Sequence, residues 1–217
     1  MLAAWAVLIG ASAVPALAAQ PRGTLTAAEY GLLTGAQAKF TAALNKKPID
    51  WNAALVSCRA VGSSTALLRT QREGCLAETQ LVDGLASFPG EQTKCGTASP
   101  QKYLCLVPIY AALAKAAKAV YSTDVSARQV AVKRGFSGAC LDALASPKKI
   151  TSDERTLATS TETLAKDVKT LAAVAKGQLP ASVINISKFQ ADAKSFEVEA
   201  GRVLEYNSPK LSRCPHQ

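Results

Sequence analysis

Apolar residues recur at intervals of three and four in every long segment of this chain, and a period of two never persists. Spacings of three and four place apolar side chains on one face of an α-helix, whereas a half-buried strand needs alternation. Alanine, the strongest helix former, is abundant, while aromatic residues, which favour strands, make up only 6% of the sequence. The periodicity therefore predicts an all-α fold.

Helix-start and helix-stop signals divide the chain into four long amphipathic helices and short additional ones. The start signals are capping boxes at Thr26, Thr70 and Thr151, with Ser63 or Ser64 as an alternative to Thr70. Pro108 fits the first turn of a helix that reaches residue 121, and a shorter helix follows over 125–133. The expected helix ends are Pro89-Gly90, Gly135 and Gly177. These signals predict a helical bundle.

The final predicted helix follows Pro180 and should bury one apolar stripe. The stripe consists of Ile186, Phe189, Ala193, Phe196, Ala200 and Val203. The sequence contains no internal repeat and no low-complexity linker, so we expect a single helical-bundle domain over residues 19–217. The oligomeric state is left open.

Residues 1–18 are typical of a cleaved secretory signal peptide. The stretch carries no charge, and an apolar run is followed by Pro15 and the small-x-small triplet Ala16-Leu17-Ala18, so we predict cleavage after Ala18. An uncleaved membrane anchor is the alternative, although Gly10, Ser12 and Pro15 interrupt the run. The signal predicts a secreted or extracytoplasmic protein of the periplasm or cell envelope.

Six cysteines follow the signal, and an even number in an oxidising compartment indicates disulfides. We expect the sequential pairs Cys58–Cys75, Cys95–Cys105 and Cys140–Cys214. The first pair depends on where its helix begins. A start at Ser64 places Cys75 about 16 Å along the axis, beyond reach across a tight turn, whereas a start at Thr70 brings it near. The last pair would fasten the C-terminal tail to the body.

Basic residues are concentrated in the middle of the chain. The sequence has 25 Lys and Arg against 16 Asp and Glu, and residues 92–149 contain nine of the basic residues but only Asp124 and Asp142 as acids. A shared basic face would attract an anionic envelope surface or polymer, whereas dispersal around helix faces would only aid solubility. The candidate surface comprises Lys115, Lys118, Arg128, Lys133 and Arg134. Nucleic acid is not an expected partner.

No catalytic, cofactor or metal motif is found in the sequence. His216 is the only histidine and lies in the terminal tail, which disfavours Ser-His catalysis, and the cysteines lack metal-site spacing. The paired acids Asp153 and Glu154 fit a helix N-terminus. We therefore expect no cofactor and no enzymatic activity.

Two further features have a structural and a functional interpretation. Tyr30, Phe40, Trp51 and Phe88 could line a ligand pocket, but core packing is the preferred interpretation. Asn185 begins a glycosylation sequon.

The sequence supports a non-enzymatic binding or structural module with a basic surface. The alternative is a carrier of a small apolar ligand between the helices. A cavity lined by aromatic residues would favour the carrier, and a buried carboxylate cluster in a cleft would favour an enzyme.

Overall fold

The computed structural model describes residues 22–204 and 210–217. The predicted signal peptide and its cleavage site lie outside these residues, as does the side chain of Val203. Within the described residues the secondary structure is helical, and the only β-type pairing there is an isolated bridge between Leu25 and His216. The predicted all-α fold is confirmed.

The described part of the chain forms seven α-helices and two single-turn 3-10 helices. The α-helices are α1 (Ala27–Leu44), α2 (Trp51–Ala60), α3 (Ala66–Lys94), α4 (Gln101–Lys133), α5 (Gly138–Leu144), α6 (Lys148–Ala175) and α7 (Ile186–Leu204). The 3-10 helices are Ala181–Val183 and Leu211–Arg213.

Helices α3, α4, α6 and α7 form a four-helix bundle in which α4 lies between α3 and α6. Their buried side chains make one apolar core that includes Leu113, Leu164 and Phe196. Phe88 meets Tyr110 and Phe196 edge-on, with ring centroids 5.2 and 6.1 Å apart. The length and composition of α4 alone would suffice to cross a membrane, but this helix supplies the centre of the bundle core.

A second apolar cluster covers the end of the bundle where α3 and α6 begin and α4 ends. It joins α1, α5 and the C-terminal tail to the start of α3 and the end of α4, through residues such as Leu25, Leu67, Phe136, Leu144 and Leu211. We call this the capped end. The opposite end, built from residues 95–104 and 174–190, is called the uncapped end.

The six cysteines form the three predicted disulfides, Cys58–Cys75, Cys95–Cys105 and Cys140–Cys214. The last of these holds the tail against α5, and the tail also accepts a backbone hydrogen bond from Leu25. The α-carbons of Cys58 and Cys75 are 5.4 Å apart, although α3 begins well before Thr70. The five-residue connection 61–65 can span about 17 Å, which is enough to reach Cys75 about 13 Å along α3.

The start of α3 differs from both sequence-based alternatives. Thr65 is the N-cap, and its hydroxyl accepts a hydrogen bond from the Leu68 backbone N–H at 3.2 Å. Leu67 and Leu68 are both fully buried at the capped end, so the helix begins early enough to bury them. Thr70 lies inside the helix instead of beginning it.

The third predicted capping box, at Thr151, is also wrong. The Thr151 hydroxyl donates to Asp124 of α4 at 2.9 Å, and Glu154 is buried beside Ser146. Both residues of the expected box therefore make tertiary contacts, and α6 begins one turn earlier at Lys148. The box at Thr26 is confirmed, with both of its hydrogen bonds present.

Neither Pro89 nor Pro108 marks a helix boundary. α3 continues through Pro89 to Lys94, and α4 runs without interruption from Gln101 through Pro108 to Lys133. Both proline rings are exposed, while Leu85, Phe88 and Ile109 pack against the core, so tertiary packing outweighs the lost backbone hydrogen bonds.

The predicted stripe on α7 is correct at its centre and wrong at its start. Phe196 and Ala200 are buried, and Phe189 and Ala193 pack against the core. Ile186 is 65% exposed, because α7 begins there, at the uncapped end, beyond the packed part of the bundle.

Candidate functional site

An apolar groove of about 380 Å³ opens at the uncapped end. Three helices contribute to it: the start of α4, the last turn of α6 and the start of α7. Its lining residues are Ser99, Tyr103, Leu171, Val174, Ala175, Ile184, Ile186, Phe189 and Gln190. This volume lies within the range of small-molecule sites, which are mostly apolar with a few polar groups at the edge.

Local sequence explains why the groove forms here. Gly177 adopts a positive φ of 71° and ends α6, so the chain leaves the bundle before residues 181–183 form a single 3-10 turn. The Asn185 side chain then accepts a hydrogen bond from the Lys188 N–H at 2.9 Å, which caps α7. The interrupted segment separates the ends of α6 and α7 and leaves apolar side chains uncovered between them.

A second groove, of about 520 Å³, lies between α3 and α4. Small residues create it: a Cβ added to Gly84 would lie only 2.9 Å from a Leu113 methyl carbon, and Ala112 and Ala116 continue the depression. Gln80, Ser87, Glu91 and Lys115 also line it. This lining differs from that of the groove at the uncapped end in including two charged residues, Glu91 and Lys115.

The five basic residues of the candidate anionic-partner surface separate into two groups. Lys115, Lys118 and Lys133 are exposed on α4. Lys115 and Lys133 are 18 residues apart, which is five helical turns, so they lie on the same side of α4 about 27 Å apart. Lys118 pairs with Glu162 at 3.0 Å, in an exposed ion pair.

Arg128 and Arg134 are engaged inside the protein. Arg128 donates to the Ser146 carbonyl at 2.8 Å and lies 3.4 Å from Asp142. Arg134 makes a two-pronged contact with Glu29, at 2.6 and 3.0 Å, and its side chain is only 20% exposed. The expectation that all five residues form one exposed surface therefore reduces to the three lysines.

Glu29 is the buried centre of a polar junction at the capped end. Besides Arg134, it accepts hydrogen bonds from the Thr65 hydroxyl at 3.0 Å and the Thr26 backbone N–H at 3.1 Å. Burial would raise the pKa of Glu29, but Arg134 and these hydrogen bonds outweigh it and hold that pKa below its usual value. The junction joins the starts of α1 and α3 to the end of α4.

A second polar junction connects α4 to the start of α6. Asp124 accepts hydrogen bonds from the Ser146 N–H at 2.8 Å and the Thr151 hydroxyl at 2.9 Å. Burial and the neighbouring Asp124 charge raise the pKa of Glu154 to about 8. Glu154 lines neither groove described above.

His216 and the aromatic residues considered as pocket lining lie outside both grooves. The His216 ring stacks on Tyr30 with centroids 3.7 Å apart, and Phe88 packs in the bundle core. Phe40 and Trp51 are half-buried and line neither groove. Residues 22–204 and 210–217 contain no group of three or more His, Cys, Asp or Glu arranged to hold a metal ion.

The groove itself was not predicted from the sequence. The sequence places Phe189 and Ile186 in the buried stripe of the last helix. The available signal is the helix break at Gly177 and Pro180, which leaves Leu179, Val183 and Ile184 in a short connecting segment.

Comparisons with known proteins returned no match: no protein-family model, no curated protein and no solved structure resembles this chain.

Proposed function

We propose that the mature chain is a secreted or envelope-associated, non-enzymatic binding module that takes an apolar ligand in the groove between α4, α6 and α7. The signal-like residues 1–18 and the three disulfides support an extracytoplasmic location. The stacking of His216 on Tyr30 gives the only imidazole a structural role.

The groove is the observation that carries this proposal. It combines a volume suited to a small molecule with side chains from three helices, and its polar members, Ser99 and Gln190, are uncharged. Transfer of apolar ligand surface from water into such a site contributes about 25 cal/mol per Å² buried. A neutral or weakly polar apolar ligand fits this lining.

Binding of the neutral dye Nile red by the oxidised mature protein tests the groove. Ala175→Trp places a large side chain among the lining residues, and we expect it to weaken dye binding at least tenfold. Ala38→Trp, on an exposed position of α1, is the matched control and should bind like the wild type. Equal dissociation constants for all three proteins would contradict the groove as the site.

A second candidate function uses the three exposed lysines of α4. α4 carries no Asp or Glu before Asp124, so no acidic residue of α4 itself lies next to Lys115 and Lys118. Lys133 extends the same side toward the capped end. Such a row favours an anionic polymer of the cell envelope, with an affinity that falls as salt rises.

Retention on an inorganic polyphosphate resin over a salt series tests this second candidate. Reversal of Lys115, Lys118 and Lys133 to Glu should lower the salt concentration of elution and leave the melting temperature nearly unchanged, because exposed charges contribute little to stability. Reversal of Lys39, Lys47 and Lys166, elsewhere on the surface, is the control. Equal loss in both variants would indicate a response to net charge alone.

A further inference from the structure

The uncapped end exposes apolar side chains from three separate segments. Leu104 begins α4, Leu179 follows α6, and Val183 and Ile186 precede and begin α7. Their exposed fractions range from 37% for Leu104 to 65% for Ile186. Ile186 lines the groove, and Leu104 and Val183 are next in sequence to the groove residues Tyr103 and Ile184.

The same end carries lysines. Residues 95–104 and 174–190 contain Lys102, Lys176 and Lys188 and no Asp or Glu. Lys188 contacts Asp167 and Asp192, which border the region. Lys102 and Lys176 make no ion pair within the described part of the chain.

The capped end provides the contrast. There α1, α5 and the tail cover the helix ends with a second apolar cluster, and Arg134 is paired with Glu29. At the uncapped end nothing in the described chain covers the apolar side chains. The two ends of one bundle therefore differ in how far their apolar side chains are covered.

We propose that the uncapped end docks on the surface of an anionic phospholipid bilayer. The four apolar side chains enter the boundary between headgroups and acyl chains, and the lysines contact lipid phosphates. A hydrophilic polyanion would satisfy the lysines but leave the apolar side chains in water. A neutral bilayer would take the apolar side chains but gain nothing from the lysines. This surface goes beyond the proposed groove ligand, and of its four apolar residues Ile186 also lines the groove.

Co-sedimentation of the oxidised mature protein with vesicles tests the proposal. We expect binding to vesicles of mixed phosphatidylglycerol and phosphatidylcholine, weaker binding at physiological salt than at low salt, and little binding to phosphatidylcholine alone. The double variants Lys102→Glu with Lys176→Glu, and Leu179→Ser with Val183→Ser, should each reduce partitioning about tenfold. The first variant loses contacts with lipid phosphates, and the second loses apolar burial in the bilayer.

Matched controls address net charge and hydrophobicity. Lys39→Glu with Lys47→Glu makes the same charge change on α1 and the turn that follows it, and Val56→Ser with Val132→Ser removes two exposed valines elsewhere. Both controls should bind vesicles like the wild type. Melting temperatures identify any variant that fails to fold, and Val183→Trp then provides a readout in an otherwise intact protein. Its fluorescence should shift to the blue on anionic vesicles, unlike that of Val56→Trp.

Two results would overturn the proposal. The first is vesicle binding that is unaffected by changes at the uncapped end. The second is binding that is lost only on reversal of Lys115, Lys118 and Lys133. Ala175→Trp separates the two proposals, since a blocked groove should still allow docking of the protein on vesicles.

Discussion

Glu29 and Arg134 form an ion pair between two distant parts of the chain. The pair is buried, two-pronged, and placed where three helix termini meet. The sequence indicated Glu29 only as a helix cap and Arg134 only as one of several basic residues. Their separation of 105 residues explains why no local pattern predicted the contact.

Removal of Arg134 should destabilise the protein strongly. In Arg134→Ala the buried Glu29 carboxylate loses its partner, and we expect a loss of about 3–5 kcal/mol in the free energy of unfolding. Urea denaturation measures it, with the neighbouring exposed Lys133→Ala as a control that should change stability by less than about 0.5 kcal/mol. A similar small effect for both variants would show that the junction is not stabilising.

Glu154 should make stability depend on pH. Its pKa is about 8 in the folded protein, against an ordinary value of 4.5. Between these values the folded state keeps a proton that the unfolded chain releases, so stability falls as pH rises from about 4.5 to about 8.

The Glu154→Gln variant mimics the neutral acid and should remove that part of the pH dependence. We expect it to resemble the wild type at pH 5 and to be more stable at pH 9, as measured by urea midpoints. Glu73→Gln, at an exposed position of α3, is the control and should follow the wild-type profile. Parallel profiles for Glu154→Gln and wild type would disprove the assignment.

At the scale of helices, Pro89 lies inside α3 and tests the balance between tertiary packing and helix propensity. Proline in a helix interior costs about 3 kcal/mol relative to alanine, and this ring is exposed, so its removal loses little packing. Pro89→Ala should therefore raise the melting temperature. A lower melting temperature would mean that the ring itself makes stabilising contacts.

The three disulfides should differ in their effect on stability. The chain-entropy model gives about 3 kcal/mol for the ten-residue separation of Cys95 and Cys105, and about 4 kcal/mol for the 74-residue separation of Cys140 and Cys214. Replacement of Cys140 and Cys214 by serine should lower the melting temperature more, because it also releases the tail from the capped end. The opposite order, in differential scanning calorimetry, would contradict this ranking.

The sequence predicted helical elements better than helix boundaries. Periodicity identified the helical class, and the capping box at Thr26 and the end at Gly177 are correct because those signals are local. The boxes at Thr70 and Thr151 fail because burial of Leu67 and the contact of Thr151 with Asp124 are decided by tertiary structure. Tertiary structure likewise joins the two helices predicted over 108–121 and 125–133 into one, α4.

Over the whole molecule, the two ends of the bundle have different roles in our interpretation. The capped end holds the second apolar cluster, the Glu29 junction and the Cys140–Cys214 disulfide. The uncapped end holds the apolar groove and the lysine-rich surface. The sequence could not reveal this asymmetry, because it arises from which helix ends α1, α5 and the tail cover.

The central claim is that the groove at the uncapped end binds an apolar ligand. Native mass spectrometry of the mature protein, purified from its own host without detergent, tests this claim most directly. We predict a bound apolar molecule on the wild type and on Ala38→Trp, and its loss from Ala175→Trp. A wild-type protein that carries no ligand, or an equal ligand load on all three proteins, would contradict it.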